Sequence, residues 1–463
     1  MIQQLISHEP DNRDIIVIFL GWGTDAAFIN SLRHPGCDIM AVWDYRDDSF
    51  DHTVLLRYRH VYVFAWSMGV MMARLTLQRH TELHPVLCIA VNGSPTPVDD
   101  RTGIPEAIFN GTLAGLTDVT LRKFRRRMCH TAKEFEEYCA TLPSRDIDEL
   151  RDELRMLGER ASRIPSCAPD IQWDRAIIAE SDRIFPIENM RRAWSGMTRV
   201  RETQGGHLPD WQEIIDQEII DKKYVASRFR RSIPTYDAHA VAQKRIATHL
   251  WEMWRKELAG RTPLSVIEAG YGTGMLTRMY APELKPYRLL LWDLCPTDIT
   301  LPVAGEIIAG DAEELIAQLP DAYVEAVVSS SAMQWFNSPA AFIANAARVI
   351  SKGGQLVIST FGERNMWELA RVTRLPLRYF TLDELCAMIP DDMRILVATQ
   401  EEIVARFDSP KDVLHHLKAT GVNGMRGLSV PFRRIISDYP HTDDSTEGVT
   451  LTYHPLYIIA EKL

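Results

Sequence analysis

His60-Val-Tyr-Val-Phe-Ala-Trp-Ser-Met-Gly-Val70 joins a short apolar run to a serine and then to a run of helix formers. Val61 to Phe64 are β-branched or aromatic, the composition of a strand buried on both faces of a parallel sheet. Val70 to Gln78 continues as a helix, so Ser67 falls at a sharp strand-to-helix turn. Ala65 and Gly69, two positions away on either side, are small enough for strand and helix to cross closely while the serine oxygen is presented. The stretch reads as a nucleophile elbow that departs from Gly-x-Ser-x-Gly by an Ala at residue 65. It also fits a core strand followed by an ordinary turn, and the neighbouring segments must decide between the two.

Upstream, Asp14 to Leu20 is an Ile- and Val-rich run that ends at Gly21-Trp22-Gly23, as an early central strand delivering a glycine loop would. In a hydrolase of α/β type, the N–H of the residue after the nucleophile, here Met68, and one from such a loop, here Trp22, form the oxyanion hole. Asp38 to Trp43 and Pro85 to Val91 are further buried strands, and Ala176 to Ala179 another, giving the strand–helix alternation of an α/β fold. From about 105 to 165 the pattern becomes helical and charged, with no strand, which fits a lid inserted over the elbow. Within it, Arg122-Lys123-Phe124-Arg125-Arg126-Arg127 is a dense cationic run. Such a run is commonly a solvated face; beside a reactive serine in an acidic chain, it also suits an anionic carrier.

After Ala179 comes Glu180-Ser181-Asp182, and after Val200 to Thr203 comes Gln204-Gly205-Gly206-His207. The chain order Ser67, Asp182, His207 is that of nucleophile, acid and base in α/β-hydrolases, with both late members just past strand ends. Attack by Ser67, proton shuttling by His207 and orientation of the imidazole by Asp182 are the expected roles. Taken singly, Asp182 is a turn residue and His207 a loop histidine; the order joins them to the elbow.

The 463 residues, 46% hydrophobic and 25% charged, are enough for two cores. A net charge of -10 argues against general nucleic-acid binding and leaves any acidic partner to local basic patches. Seven scattered cysteines without a Cys-x-x-Cys suggest neither a disulfide framework nor a zinc site, and no metal is expected at either reaction site. No targeting segment or membrane span is read, so a cytoplasmic location is expected.

Polarity rises near 217–232, and the boundary between a first domain, 1–220, and a second, 221–463, is set there. Lys222-Lys223 and Arg228 to Arg231 form a second basic cluster, and Tyr236 to Lys256 reads as one opening helix. Leu264 to Ile267 then runs into Glu268-Ala-Gly270-Tyr-Gly272-Thr-Gly274, where glycines let the backbone approach a cofactor. The next strand, Arg288 to Asp293, ends in an acid able to accept hydrogen bonds from ribose hydroxyls. This much also describes a dinucleotide site. Glu268 ahead of the glycines, and Gly310-Asp311 after the strand Ile307 to Ala309, shift the reading to S-adenosylmethionine; Asp311 is equally a helix N-cap. Trp335 follows the strand Val324 to Ser330 and is either a wall of the methyl-transfer pocket or core. A strand at Gln355 to Thr360, a capping box at Thr381 to Glu384, a helix from Lys411 to Thr420 and a last strand from Val449 to Ala460 complete the pattern.

Residues 1 to about 220 resemble the pimeloyl-[acyl-carrier protein] methyl ester esterases of the BioG type, through Phe19 to Gly23, Ala65 to Gly69 and Gly205 to His207. The remainder resembles the malonyl-[acyl-carrier protein] O-methyltransferases of the BioC type, through Tyr236 to Ala247, Glu268 to Gly274, Gly310 to Glu314, Ala332 to Trp335 and Leu417 to Asn423. The resemblance implies an N-terminal α/β-hydrolase with a helical lid and a C-terminal Rossmann-like class I methyltransferase. It also implies methylation of the malonyl carboxylate on its carrier, and later hydrolysis of the methyl ester at the pimeloyl stage of biotin synthesis. The acyl carrier protein is the expected partner. A general carboxylesterase fused to a small-molecule methyltransferase, or a half retained as an inactive scaffold, are the rivals.

Overall fold

The runs without polar alternation, Ile15 to Leu20, Ile39 to Val42, Val61 to Trp66 and Leu87 to Val91, are all buried, so they occupy the centre of a sheet covered on both faces. They belong to the first of two compact units, Met1–Ile215 and Asp216–Leu463. The computed structural model describes residues 1–164, 171–300, 303–373, 379–421, 432–440 and 448–463. Cys167, Val422 and Asn423, used in the sequence reading, lie outside them.

The first unit contains β1 (Ile2–Ser7), β2 (Asp14–Phe19), β3 (Cys37–Trp43), β4 (His60–Trp66), β5 (Leu87–Val91), β6 (Arg175–Ala179) and β7 (Arg199–Thr203). Their order is β1-β3-β2-β4-β5-β6-β7. Only β1 is antiparallel, paired with β3; the others run parallel. Its sequence, Ile-Gln-Gln-Leu-Ile-Ser, is half polar and exposed, which suits an edge and gives no buried-strand signal. Parallel strands place all their carboxyl ends on one side, so the loops after β4, β6 and β7 meet there.

Among the described residues, four helices lie between β5 and β6: Glu106–Ala114, Asp118–Met128, Ala132–Cys139 and Ile147–Arg163. Thr117 and Thr131 start two of them with capping boxes, and Asp146 caps the fourth. The fourth buries Leu150, Glu153, Leu154 and Leu157 on one face. Glu153 is 1% exposed and would be costly there alone. Arg145 Nη1 donates to it at 2.7 Å, the Tyr45 N–H donates at 2.9 Å, and Asp44 completes the group 3.1 Å from Arg145 Nη2. Burial still pushes the Glu153 carboxyl above its ordinary range, with Arg145 opposing. The Trp22 indole donates to Leu150 O at 2.8 Å and ties the glycine loop to the same helix.

Among its described residues, the second unit has a seven-stranded sheet and a two-stranded sheet. Its strands are β8 (Ser265–Ala269), β9 (Arg288–Asp293), β10 (Glu306–Ala309), β11 (Val324–Ser330), β12 (Ile350–Phe361), β13 (Met393–Gln400), β14 (Ile403–Phe407), β15 (Val449–Tyr453) and β16 (Pro455–Lys462). The main order is β10-β9-β8-β11-β12-β16-β13, with β16 antiparallel to both neighbours. Separate apolar cores, one with Ile246, Leu250 and Trp254 and the other with Ile316, Phe342 and Ile343, sandwich it.

Three sequence expectations are corrected here. Val449 to Ala460 is two strands in different sheets: the chain turns at His454, ahead of a proline that brings no N–H, and β15 leaves to pair with β14. Tyr236 to Lys256 is not one helix, because Ala240, with ψ of 48°, separates Lys222–His239 from Val241–Glu257. The first segment is tied to the Pro410–Ala419 helix by Thr235 Oγ1 donating to Ala419 O at 2.9 Å, while the second packs on the main sheet through Ile246, Leu250 and Trp254. β12 begins at Ile350 rather than Gln355, absorbing Gly353 at φ 76° through a register shift against β11.

Among the described residues, the six cysteines are free and no helix is long and apolar enough to cross a membrane. Arg145→Ala leaves Glu153 buried without its cation and should destabilise the first unit by about 3–5 kcal/mol. Replacing both, as Arg145→Met with Glu153→Leu, should recover most of that loss, with urea unfolding of wild type and the two variants as the measurement.

Candidate active sites

The turn after β4 holds Ser67 at φ 58° and ψ -126°, a strained conformation for a side-chain-bearing residue. Packing enforces it. A Cβ on Gly69 would stand 2.4 Å from Phe19 O and 2.6 Å from Leu20 O, and one on Gly93 would stand 2.3 Å from Ser67 O. Ala65 is fully buried on β4, so its methyl group is accommodated within the sheet and the departure from glycine costs nothing visible.

His207 Nε2 lies 3.0 Å from Ser67 Oγ, and His207 Nδ1 lies 2.7 Å from Asp182 Oδ2. The other Asp182 oxygen accepts from the N–H groups of Ile184 at 2.7 Å and Phe185 at 3.0 Å. The acid and base side chains are 2% and 1% exposed. Phe185 stacks on the imidazole at 5.7 Å, fixing its plane. Trp22, Met68, Phe109, Phe124, Met128 and Leu154 line the cavity beside Ser67. Met68 opens its helix, where the first N–H groups have no intrahelical acceptor. The arrangement can deprotonate a serine in a largely apolar pocket.

Asn92, at the end of β5, is a residue beside the site that the sequence does not single out. It adopts φ 44°. Its amide nitrogen donates to His207 O at 3.0 Å and Gly206 O at 3.3 Å, and its oxygen accepts from the Ala179 N–H at 2.9 Å. One side chain thus joins three strand ends. The cationic run divides by face: Arg122, Lys123 and Arg127 are exposed, and Arg127 reaches the Ser67 cavity. Arg125 and Arg126 are half-buried, with Arg126 donating to Cys129 O at 3.2 Å.

In the second unit a cleft opens at the carboxyl ends of β8, β9, β10 and β11. Gly270, Gly272 and Gly274 all have positive φ, 75°, 59° and 77°. A Cβ on Gly270 would stand 2.3 Å from the Ala332 Cβ, so the loop can close on the cleft floor only without one. Asp293 receives the Gly272 N–H at 2.9 Å on one oxygen and the Cys295 N–H at 2.8 Å on the other. Burial nevertheless pushes its carboxyl up to about 6, outweighing the two N–H groups. Glu268 lies deeper. Its Oε2 accepts from Thr277 Oγ1 at 2.7 Å and Tyr280 OH at 2.8 Å, and burial pushes it up to about 7.

Asp311 lines the cleft and also caps the Ala312–Ala317 helix, accepting from the Glu313 N–H. Lys222 reaches both acids, 2.6 Å from Glu313 Oε2 and 3.2 Å from Asp311 Oδ1. Burial opposes its charge, but the two carboxylates outweigh that and raise its pKa. This lysine of the second basic cluster is therefore part of the cleft wall. Trp335 is half-buried on the cleft. Phe229, Tyr236 and Gln243, which line the same cleft, come from the two helices before β8, where composition alone marks no site. Gln243 is 5% exposed, and its carboxamide oxygen has no hydrogen-bond partner among the described residues. Glycines without Cβ atoms, an acid at the end of β9 and a polar orphan fit a nucleoside-bearing methyl donor.

The family described as Methyltransferase domain matches residues 267–358, and the family described as Pimeloyl-ACP methyl esterase BioG matches residues 1–212. The malonyl-[acyl-carrier protein] O-methyltransferase of Bacteroides fragilis is 36% identical over 98% of this chain and 94% of its own length. The enzyme of the same description from Haemophilus influenzae is 32% identical over 52% of this chain and 95% of its own. The crystal structure of BioG from Haemophilus influenzae is 35% identical, covering 45% of this chain and 94% of that one, with a TM-score of 0.41. The glycine loop, the acid ending β9 and the sheet around them define the second unit as a Rossmann-like methyltransferase domain. The whole chain belongs to the malonyl-[acyl-carrier protein] O-methyltransferase family, in a form that carries a BioG domain ahead of it.

A fluorophosphonate should label Ser67, and His207→Ala should abolish labelling. Asn92→Ala should slow it on the order of tenfold to a hundredfold, because the imidazole loses its loop support. Mass spectrometry of the labelled peptide over time measures both.

Proposed function

We propose that the chain is a bifunctional enzyme of pimeloyl precursor synthesis for biotin. Its second unit methylates the free carboxylate of malonyl-[acyl-carrier protein], and its first unit, an α/β-hydrolase, later cleaves the methyl ester of pimeloyl-[acyl-carrier protein]. The Ser67–His207–Asp182 chain, at 3.0 Å and 2.7 Å, is the observation that carries the hydrolase half. The family membership and the glycine-lined cleft support the other half.

In the hydrolase half, Ser67 Oγ attacks the ester carbonyl as its proton passes to His207 Nε2, and the developing oxyanion faces the Met68 and Trp22 N–H groups. The C–O bond to the methoxy group breaks, and methanol leaves with the proton from His207. Water then repeats the sequence to free the acid. The apolar walls accommodate the methylene chain and disfavour a free carboxylate.

In the methyltransferase half, S-adenosylmethionine supplies an electrophilic methyl group. Gly270, Gly272 and Gly274 would admit its backbone-facing part, Asp293 its ribose and Asp311 its adenine, with Glu268 supporting the loop from below. Trp335 and the aromatic residues of the two leading helices exclude water. A carboxylate nucleophile needs no proton removed, so alignment and desolvation are the tasks of the site. Capping the acid removes a charge that is costly inside apolar acyl tunnels, and uncapping restores it.

Carrier docking is assigned to the outward cations of the Asp118–Met128 helix. Arg122→Ala with Lys123→Ala should lower kcat/KM for a carrier-bound methyl ester about tenfold or more at low salt, leaving a small nitrophenyl ester unaffected. Equal loss on both esters would sink that docking role. Labelled methyl transfer from S-adenosylmethionine to malonyl-carrier protein tests the second half directly; label on another acceptor alone would overturn it. The ionised Asp293 carboxylate accepts hydrogen bonds more strongly than the protonated one, so S-adenosylmethionine affinity should fall as pH drops through about 6, by up to about tenfold per unit below it. Asp293→Asn should bind more weakly and lose that pH limb, as read by calorimetry.

A further inference from the structure

Outside both clefts, the first unit brings two histidines and a glutamate to one point. His52 begins the short helical turn His52–Val54, which Asp51 caps by accepting from the Thr53 N–H. His80 ends the Met68–Arg79 helix, its N–H donating to Thr76 O at 3.0 Å. Glu82 follows in a turn closed by the Leu83 N–H donating to His80 O at 3.1 Å. The backbone around all three ligands is thus fixed by its own hydrogen bonds.

The two imidazoles stack with centroids 4.4 Å apart and planes 25° apart. His52 Nε2 lies 2.6 Å, and His80 Nδ1 3.6 Å, from the same oxygen, Glu82 Oε1. One donor atom from each side chain falls within 4.8 Å of the others. The histidine side chains are 26% and 16% exposed, so they are half-sheltered yet reachable. An ion pair with Glu82 accounts for one ring. The second ring, His80, turns its Nδ1 to the same oxygen, so donor atoms from three side chains gather at one point.

We propose that His52, His80 and Glu82 bind a divalent transition-metal ion of the zinc type, with water in the remaining position. Zinc holds nitrogen and oxygen donors at about 2.0–2.2 Å, which sets tetrahedral donors roughly 3.3 Å apart. The His80–Glu82 pair is already near that spacing, and the His52–Glu82 pair reaches it by opening less than about 1 Å. Two imidazoles with one carboxylate suit zinc, copper or nickel over magnesium or calcium. The ion would fasten the turn at 52–54 to the far end of the helix that starts beside Ser67, a structural role distant from the reacting atoms. A search by cysteine spacing cannot see such a site.

The test titrates tag-free, chelator-treated full chain with zinc chloride by calorimetry, alongside His52→Gln with His80→Gln and, separately, Glu82→Gln. Wild type should bind one zinc equivalent that the double variant lacks or binds at least about tenfold more weakly. Zinc should raise the unfolding temperature of wild type and not that of the double variant. Cobalt in place of zinc should give the visible bands of a low-coordinate site in wild type alone. Unchanged fluorophosphonate labelling of Ser67 shows that the variants are folded. Equal stoichiometry and affinity in wild type and variants, or no stoichiometric binding by wild type, would overturn the site and leave an ion pair only.

Discussion

Backbone must meet backbone at the carboxyl ends of the central strands, and side chains must be missing where it does. The elbow exists because Gly69 lies against the Phe19 and Leu20 carbonyls, where a Cβ would fall 2.4–2.6 Å away. The second unit repeats the device with another purpose: Gly270 lies against Ala332, so its loop closes on the cleft floor. In one case the close approach forces a serine into a strained turn that points its oxygen outward. In the other it leaves the floor of a cleft free of side chains. Parallel strand order then concentrates the remaining functional groups on the same side of each sheet.

Buried acids show how each unit manages charge. Asp182 faces His207 and two N–H groups, so its carboxylate is fully matched and orients the ring. Glu153 and Glu313 each have a cation, Arg145 and Lys222, and these pairs hold surrounding segments in place. Asp293 has two N–H donors and, among the described residues, no cation, and burial leaves it near 6. A group left with unsatisfied capacity in a cleft is suited to a ligand; groups satisfied from within are suited to structure. Glu268, which also lines the cleft, is held by Thr277 and Tyr280.

The legible parts of the sequence were those with strong local grammar. Ile15 to Leu20, Val61 to Trp66 and Val324 to Ser330 are apolar runs between turn residues, and all are strands. The Thr381–Glu384 capping box is formed as read. What failed was grammar broken by tertiary choice. Nothing local at Ala240 marks a helix break, and β15 and β16 divide because one pairs with β14 while the other is claimed by β12 and β13. Nothing local marks Asn92, since its value lies in bonds to Ala179, Gly206 and His207, far away in sequence.

The sequence by itself determined the strand-and-helix alternation, the elbow at Ser67, the glycine loop after β8 and the acids that follow it, because each depends on residues within one turn of another. Only the tertiary structure decided which acid faces which base. It also decided that Lys222 serves the cleft wall rather than solvent, and that Arg122 and Lys123 face outward while Arg126 turns in. The physical reason is range: backbone preference and burial pattern act over a few residues, whereas charge pairing and loop convergence depend on distances that exist only after the sheets have formed.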